Sequence, residues 1–269
     1  MATRIAAVFG ATGQQGSSVV HALLKDGTFM PRAVTRDVNS KSARALAKLG
    51  AEVVSADLGG DKEAVKKAVT GAEVVFLVTI PFKAALPEDV QGINVIDARK
   101  DPEVPRGIWC RLRVPRYRLF FENILTPFPG LPFEKSDDGY VWNTYAQPGS
   151  DTAVHTWASR DLGPAVVALF TQYTTRSSEI VGQTFVLASA RTSFEGFTAE
   201  LSKGLGKPVY HKHGGIAGVL PVDEMIYSVA EFPWYAGVAI PDPRLEKLGV
   251  KTGTIEEFGR TVLKSHLGE

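Results

Sequence analysis

The chain has 269 residues, a formal net charge of +1 and 44% hydrophobic residues, enough apolar material to bury a sizeable core. It has no basic tract typical of nucleic-acid binding, no apolar run of the roughly 18–20 residues that span a membrane, and no start typical of a secretory signal. Cys110 is the single cysteine, which excludes an intramolecular disulfide and a cysteine metal cluster. We therefore expect a cytosolic α/β protein, with entry into the nucleus only if it is regulatory.

The first predicted elements are a strand and a helix joined by a glycine-rich turn. Residues 4–9 are apolar enough for a buried parallel strand, and residues 14–25 place four apolar side chains on one helical face before Gly27. Glycines between a strand and a helix predict a site for the pyrophosphate of a dinucleotide, although an ordinary glycine-containing loop is the alternative. The spacing is G-x-x-G-x-x-G rather than the common G-x-G-x-x-G. The predicted cofactor-binding residues of the turn are Gly10, Ala11, Thr12, Gly13, Gln14, Gln15 and Gly16.

The end of the second predicted strand, residues 32–35, indicates which dinucleotide is bound. About twenty residues after the glycine turn, an NAD site usually presents a carboxylate to the ribose 2′-hydroxyl. This chain has Arg36 there, and a guanidinium suits a 2′-phosphate, so NADP(H) is favoured over NAD(H). Two alternatives stay open: Arg36 is a solvated charge at a strand end, or the neighbouring Asp37 serves a 2′-hydroxyl.

Strand and helix patterns then alternate up to about residue 100. We predict helices over 40–49, from Asp61 to Gly71 and over 87–100, with strands over 52–55 and 73–79 between them. Ligands bind beyond the carboxyl ends of parallel strands, so the residues after these strands are candidates for the adenine and ribose wall, or else ordinary turn residues. These candidates are Asp57, Leu58, Thr79, Ile80 and Pro81.

The pattern changes beyond Pro127, where proline and glycine become denser and the elements shorter. We predict strands over 152–157, 183–188 and 209–212 and helices over 160–171 and 193–203. A last helix opens with a capping box from Thr254 to Glu257. The predicted organisation is an NADP-binding Rossmann-type domain over residues 1–126 and a smaller substrate or partner lobe, interleaved with it, over residues 127–269.

Several segments together resemble the NmrA-like family of atypical short-chain dehydrogenase relatives, which includes NADP(H)-sensing regulators and working reductases. The resemblance rests on residues 8–16, on 26–29 leading to 34–36, on 50–54, on 120–123, on 159–164 and on 181–185. It implies a doubly wound parallel sheet with a smaller α+β lobe. It also implies that the 120–123 segment lies near the nicotinamide, which adds Phe121, Glu122 and Asn123 to the cofactor-binding residues. The alternative for these three is a core aromatic pair with a helix cap.

The chain departs from this family between residues 98 and 120. A family member should supply a fifth strand, a helix with a conspicuous lysine and a further strand there, but a strand with its crossover helix needs about 30 residues or more. The basic segment over 106–118 has strand-like alternation without room for the helix. We infer a truncated natural variant or a mis-spliced gene model, in which the sheet loses a strand or is repaired by this segment.

The missing stretch bears on catalysis. Short-chain dehydrogenases use a tyrosine with a lysine four residues later, on the same helical face. None of the seven tyrosines has a lysine at that position. The catalytic residues are therefore unknown from the sequence. His211 and His213 share one face of a predicted strand, but no carboxylate accompanies them in sequence, and no metal site is expected. His155 and Trp157 are either pocket residues near Asp161 or core residues.

Three functions follow from these features. The first is an NADP(H)-binding, redox-sensing or regulatory protein, or a degenerate oxidoreductase. The second is an NADPH-dependent oxidoreductase for a small aromatic or polyketide-like metabolite, with aromatic side chains as pocket walls. The third is the product of a shortened transcript. The sequence is compatible with a regulatory protein partner, with a small-molecule substrate and with a homodimer, and does not distinguish between them. The aromatic candidates are Phe120, Phe121, Trp142, Trp157, Trp234 and Tyr235.

Overall fold

The computed structural model describes residues 3–79, 86–98, 111–113, 120–126, 133–144, 153–213, 224 and 235–269. It contains two compact units, each assembled from two stretches of chain. The first unit comprises residues 1–111 and 162–183, and the second comprises residues 112–161 and 184–269. The sequence prediction of one boundary after residue 126 differs from this division, because residues 162–183 return to the first unit.

The first unit is built on a parallel sheet. Its described strands are hydrogen-bonded in the order β3-β2-β1-β4, and every neighbouring pair is parallel. The order extends in one direction from β1 to β3 and then reverses, so that β4 lies on the other side of β1. A doubly wound fold binds its ligand at such a reversal. The strands are β1 (Ile5–Phe9), β2 (Met30–Thr35), β3 (Glu52–Ser55) and β4 (Ala72–Phe76).

Helices alternate with these strands as the sequence predicts. Three predicted helix boundaries are confirmed: Gly27 ends α1 in the left-handed conformation, and the side chains of Ser40 and Asp61 cap α2 and α3. Apolar side chains from the strands and from α3 and α4 form one buried cluster that includes Phe9, Val34 and Val95. The helices are α1 (Gln14–Asp26), α2 (Lys41–Lys48), α3 (Lys62–Val69) and α4 (Glu88–Ala98).

Helix α5 (Ala158–Gln172) begins in the second unit and continues into the first. Within the first unit, Gly163 of this helix packs directly against α1. Its backbone N–H donates to the Ser18 hydroxyl at 3.1 Å, and a Cβ atom at position 163 would lie 2.4 Å from the Ser18 carbonyl oxygen. A short helix, α6 (Ser177–Ile180), follows. The close approach explains why a glycine stands in the middle of this helix.

The second unit contains three small sheets. Residues 111–113 of the basic segment pair with residues 184–186, so the described part of this segment adds no strand beside β4. Two further sheets have the orders β11-β7-β6 and β10-β8. The strands are β5 (Arg111–Arg113), β6 (Phe133–Lys135), β7 (Tyr140–Thr144), β8 (Ala153–His155), β9 (Thr184–Val186), β10 (Ala190–Thr192) and β11 (Val209–His213).

Aromatic side chains form the core of the second unit. The Phe121 ring is fully buried, with ring centroids 5.4 Å from Phe197, 5.6 Å from Phe258 and 6.1 Å from Trp157. In the described parts of the chain, no helix is both long and apolar enough to cross a membrane. The helices of this unit whose bounds lie among the described residues are the 3₁₀ helix Phe121–Leu125, α7 (Phe194–Leu205), α8 (Pro243–Lys247), α9 (Ile255–Phe258), the π-helical turn Gly259–Leu263 and α10 (Lys264–His266).

Candidate functional site

The glycine turn follows β1 at the point where the strand order of the first unit reverses. Gly10 has a φ of +65°, a conformation that side chains disfavour. A Cβ atom at this position would also lie 2.7 Å from a methyl carbon of Val78, which follows β4. The first glycine is therefore required twice, for its backbone conformation and for the approach of the neighbouring chain.

The second and third glycines close the turn onto the helix. The Gly13 N–H donates to the Gly10 carbonyl at 2.9 Å, which makes the turn tight. A Cβ atom at Gly16 would lie 2.2 Å from the Gly10 carbonyl oxygen, which no side chain tolerates. Gly10 and Gly16 thus have separate steric reasons, as expected for a loop that must let a helix and a neighbouring strand approach closely.

Helix α1 points its amino end at this turn. Its first intrahelical hydrogen bond runs from the Ser17 N–H to the Gly13 carbonyl, so the N–H groups of Gln14, Gln15 and Gly16 have no acceptor one turn earlier in the helix. The first turn carries no acidic side chain to neutralise them. Free N–H groups and the helix dipole together favour an anion at this end.

The remaining residues of the turn attach it to the second strand. The Ala11 N–H donates to the Val34 carbonyl at 3.3 Å, and the hydroxyls of Thr12 and Thr35 lie 3.4 Å apart. Thr12 stands where a glycine is usual, and its hydroxyl contacts the last residue of β2, Thr35. These contacts hold the turn next to the residues that follow β2.

Arg36 and Asp37 follow β2 and differ in how their side chains are used. Both are exposed. The Asp37 carboxylate accepts the Asn39 N–H at 2.8 Å, whereas the described residues offer no side-chain partner to the Arg36 guanidinium. The Ser55 hydroxyl donates to the Arg36 carbonyl and fixes its backbone. An exposed guanidinium beside the turn can donate to a phosphate, whereas a carboxylate can only accept hydrogen bonds.

The candidates after β3 and β4 lie at the same edge of the sheet. The Leu58 carbonyl accepts a hydrogen bond at 3.0 Å from the buried side-chain amide of Asn94 on α4, and the exposed Asp57 carboxylate accepts the Gly59 N–H. The Thr79 hydroxyl donates to the carboxylate of Glu88 at the start of α4. Ile80 and Pro81 lie outside the described residues. Asn94 could not be predicted from the sequence, because only the packing of α4 brings it to this loop.

Phe121 and Glu122 have structural roles in the second unit. Phe121 lies in the aromatic core described above. The Glu122 carboxylate accepts the N–H groups of Ala158 at 3.3 Å and Ser159 at 2.6 Å, and so caps the amino end of α5. The core aromatic residue and the helix cap of the alternative account for both side chains, and a position of this segment near a nicotinamide stays a prediction. Asn123 is half-buried and stays a prediction.

Asp161 anchors the second unit from the first turn of α5. It is fully buried, and its carboxylate accepts hydrogen bonds from Ser189 at 2.7 Å, from the Gly253 N–H at 3.0 Å and from Arg160 at 2.7 Å. Burial raises the pKa of Asp161, and these hydrogen bonds oppose that shift. The network ties α5 to the loop before α9 and gives this carboxylate a structural role.

His155 is a core residue rather than an exposed pocket residue. Its ring is 1% exposed and lies 4.7 Å from the Phe197 ring. Burial lowers the pKa of His155 to about 4, although a hydrogen bond with the Thr192 backbone acts in the opposite direction and raises it. Its Nε2 has no hydrogen-bond partner among the described residues. Trp142 and Trp157 are also buried, whereas Cys110 and Trp234 lie outside the described residues.

A second polar cluster joins α7 to β11. His211 and His213 do share one face of the strand, and Glu195 lies against both, so the lack of a carboxylate noted in the sequence does not hold in space. Hydrogen bonds from its own backbone N–H and from His211 lower the pKa of Glu195 to about 2. Burial lowers the pKa of His211. The carboxylate was missed because it is sixteen residues from His211 along the chain.

Comparison with known proteins identifies the first part of the chain. Residues 2–118 match the profile of the NmrA-like family. An NmrA-like family domain-containing oxidoreductase, malD of Malbranchea aurantiaca, is 50% identical over 114 residues, which are 39% of this chain and 34% of that protein. The chain spans about a third or less of the length of the first curated relatives that it matches.

Two solved structures share the fold of the whole chain. One is NmrA, a negative transcriptional regulator, in complex with NADP, with a TM-score of 0.73, 17% identity and coverage of 100% of this chain and 99% of that one. The other is the NADPH-dependent quinone oxidoreductase QOR2 of Escherichia coli in complex with NADPH, with a TM-score of 0.67, 21% identity and coverage of 98% and 100%. At these identities the likeness establishes the Rossmann-type fold and nothing finer.

Proposed function

We propose that this chain, whose residues 2–118 match the NmrA-like family, binds NADP(H) and acts as a redox-responsive regulator. We further propose that it has no dehydrogenase activity of the tyrosine-lysine type. The glycine turn would hold the pyrophosphate, and Arg36 would hold the 2′-phosphate. The regulatory output would be a conformation, read by a protein partner, that depends on the cofactor's oxidation state.

The observation that carries this proposal is the glycine turn after β1, residues 10–16, together with the amino end of α1. An added Cβ atom would lie 2.7 Å from a methyl carbon of Val78 at Gly10, and 2.2 Å from the Gly10 carbonyl oxygen at Gly16. The N–H groups at the start of α1 face the same turn. At these glycines the turn, the start of α1 and the residues after β4 come into direct contact. A loop that only connects a strand to a helix does not require such close packing. N–H groups at a helix amino end without an acidic neighbour are the donors that a pyrophosphate needs.

The proposed preference for NADP(H) rests on Arg36. Its guanidinium is exposed beside the turn, while the neighbouring Asp37 carboxylate already accepts the Asn39 N–H. A 2′-phosphate needs a donor such as this guanidinium, whereas a ribose 2′-hydroxyl is usually bound by a carboxylate. One charge-assisted contact is worth roughly ten- to a hundredfold in affinity.

The regulatory assignment rests on what the chain lacks for catalysis. A bound nicotinamide supplies a hydride, but the product also needs a proton, and no tyrosine in this sequence has a lysine four residues later. Phe121 and Glu122 are occupied by the core and by a helix cap. A cofactor-binding site is thus better supported by these observations than a residue that would donate a proton to a substrate.

A sensor needs different affinities for the two oxidation states. A tenfold bias corresponds to about 1.4 kcal/mol between them. Calorimetric titration of the full chain with NADPH and with NADP⁺ tests the proposal, with Gly13→Val as the non-binding control. We expect both forms to bind wild type with Kd values at least tenfold apart. Failure of wild type to bind either form would refute the cofactor site, and equal Kd values would refute the sensor.

The second candidate is an NADPH-dependent oxidoreductase for a small aromatic or polyketide-like metabolite. The observation that favours it is the 50% identity, over 114 residues, to a relative called an oxidoreductase. The aromatic residues Trp142 and Trp157 do not add support, because both are buried in the core of the second unit. Substrate-dependent loss of NADPH absorbance, tested over a panel of quinones and aromatic ketones, would establish this activity and overturn the regulatory assignment.

A further inference from the structure

Three side chains of the second unit, Glu195, His211 and His213, lie close to one another. Glu195 lies in the first turn of α7, and His211 and His213 alternate with Lys212 on β11. The Glu195 Oε1 atom lies 2.9 Å from His211 Nδ1 and 3.6 Å from His213 Nε2. One ligand atom from each residue lies within 4.8 Å of the other two.

We propose that Glu195, His211 and His213 bind a divalent transition-metal ion, with Zn²⁺ as the expected occupant. Zinc holds nitrogen and oxygen ligands at about 2.0–2.1 Å, so tetrahedral ligand atoms lie about 3.3 Å apart. The two separations from Glu195, 2.9 and 3.6 Å, bracket that spacing. Two imidazoles with one carboxylate favour zinc and its neighbours over Mg²⁺ or Ca²⁺, which prefer oxygen ligands.

An independent contact orients the first imidazole for this role. The Thr144 Oγ1 atom lies 2.6 Å from His211 Nε2, on the opposite side of the ring from Glu195. When Nδ1 binds a metal, the neutral imidazole carries its proton on Nε2 and must donate it to an acceptor. Metal-binding histidines in general have such an outer partner. Thr144 belongs to β7, whose register with β11 places it beside this ring.

The surroundings give the site one closed side and one open side. The His211 side chain is 3% exposed, and the Phe194 ring stacks on it with centroids 5.2 Å apart. The side chains of Glu195 and His213 are 64% and 59% exposed. Three protein ligands leave the fourth tetrahedral position to water. Structural zinc sites, by contrast, have four protein ligands.

Isothermal titration of the untagged, chelator-treated full chain with ZnCl₂, without dinucleotide, tests the proposal. We expect one Zn²⁺ per chain and at least tenfold weaker binding by His213→Asn. Glu195→Gln should weaken binding similarly, and Thr144→Val, which removes the outer partner, should weaken it ten- to a hundredfold. The matched control is His266→Asn, which removes another exposed histidine and should bind like wild type.

Substitution of Co²⁺ gives a second readout. A tetrahedral site with nitrogen and oxygen ligands should show visible absorption bands that His213→Asn lacks. His213 is exposed, so this variant is expected to fold, and circular dichroism of the metal-free proteins checks it. Absence of Zn²⁺ binding by wild type, or equal binding by wild type and a folded His213→Asn, would overturn the site. Neither outcome affects the proposed dinucleotide site, which is in the other unit.

Discussion

A Cβ atom on Gly16 would lie 2.2 Å from the carbonyl oxygen of Gly10. The first turn of α1 therefore rests directly on the backbone of the turn that precedes it. Because the contact is between backbone atoms, no rotamer change relieves it. The glycine spacing in this chain is thus a steric requirement of the fold, which at the same time leaves the helix N–H groups open to an anion.

Replacement of Gly16 by alanine should weaken both folding and dinucleotide binding. The added methyl group forces α1 away from Gly10, and overpacking of this kind costs typically about 1–3 kcal/mol. Urea denaturation measures this loss. Gly92→Ala is the matched control, because a Cβ atom at this helical position meets nothing within 4 Å. The control should be neutral or slightly stabilised, and equal stabilities of the two variants would contradict the packing described.

The Glu122 carboxylate is predicted to stabilise the fold. Glu122→Ala leaves the N–H groups of Ala158 and Ser159 without their acceptor, which should lower the free energy of unfolding by about 1–2 kcal/mol. Thermal and urea denaturation measure the change. The Kd for NADPH, measured where the variant is fully folded, should stay within a factor of about two. A large loss of NADPH affinity with unchanged stability would restore the cofactor role that the structure argues against.

The buried His155 should make the protein sensitive to mild acid. In the unfolded chain a histidine takes up a proton near pH 6.5, whereas burial holds the pKa of folded His155 at about 4. Between these pH values the unfolded state binds more protons, so stability falls as pH falls. This one group accounts for a loss on the order of 3 kcal/mol over the window, and none above it.

His155→Phe removes this titration and should flatten the dependence of unfolding free energy on pH between about 6.5 and 4. Urea denaturation at several pH values in this range gives the comparison. His266→Asn, at an exposed position, should retain the wild-type slope. If wild type and His155→Phe lost stability in parallel, His155 would not be the neutral, buried group described here.

Features that depend on neighbouring residues were predictable from the sequence. The glycine turn between β1 and α1, the helix boundaries at Gly27 and Ser40 and the caps at Asp61 and Thr254 are confirmed, because each is determined within a few residues. The apolar residues before Thr79 do form a parallel strand, but β4 ends earlier than predicted, at Phe76, and it is an edge strand of the described sheet, whereas an unbroken apolar run is typical of a central one.

Features that depend on tertiary packing were not predictable. Asn94 reaches the Leu58 carbonyl only because α4 packs beside the loop after β3, and Glu195 meets His211 only because α7 packs on β11. Residues 111–113 pair with a strand some seventy residues later in the chain rather than with β4. The burial of Phe121 in the aromatic core likewise depends on tertiary packing, whereas the resemblance alone implied a place near the nicotinamide.

The preference for NADP(H) tests the account most directly, through the ratio of the dissociation constants for NADH and NADPH. At fixed ionic strength, wild type should bind NADPH roughly ten- to a hundredfold more tightly than NADH. Arg36→Glu should lose this preference while keeping weak binding of both, because the glycine turn still holds the shared pyrophosphate. Arg260→Glu makes the same charge change at an exposed position of the second unit and should keep the wild-type ratio. A wild-type ratio in Arg36→Glu, or no preference in wild type, would contradict the assignment of Arg36 and with it the proposed NADP(H) site.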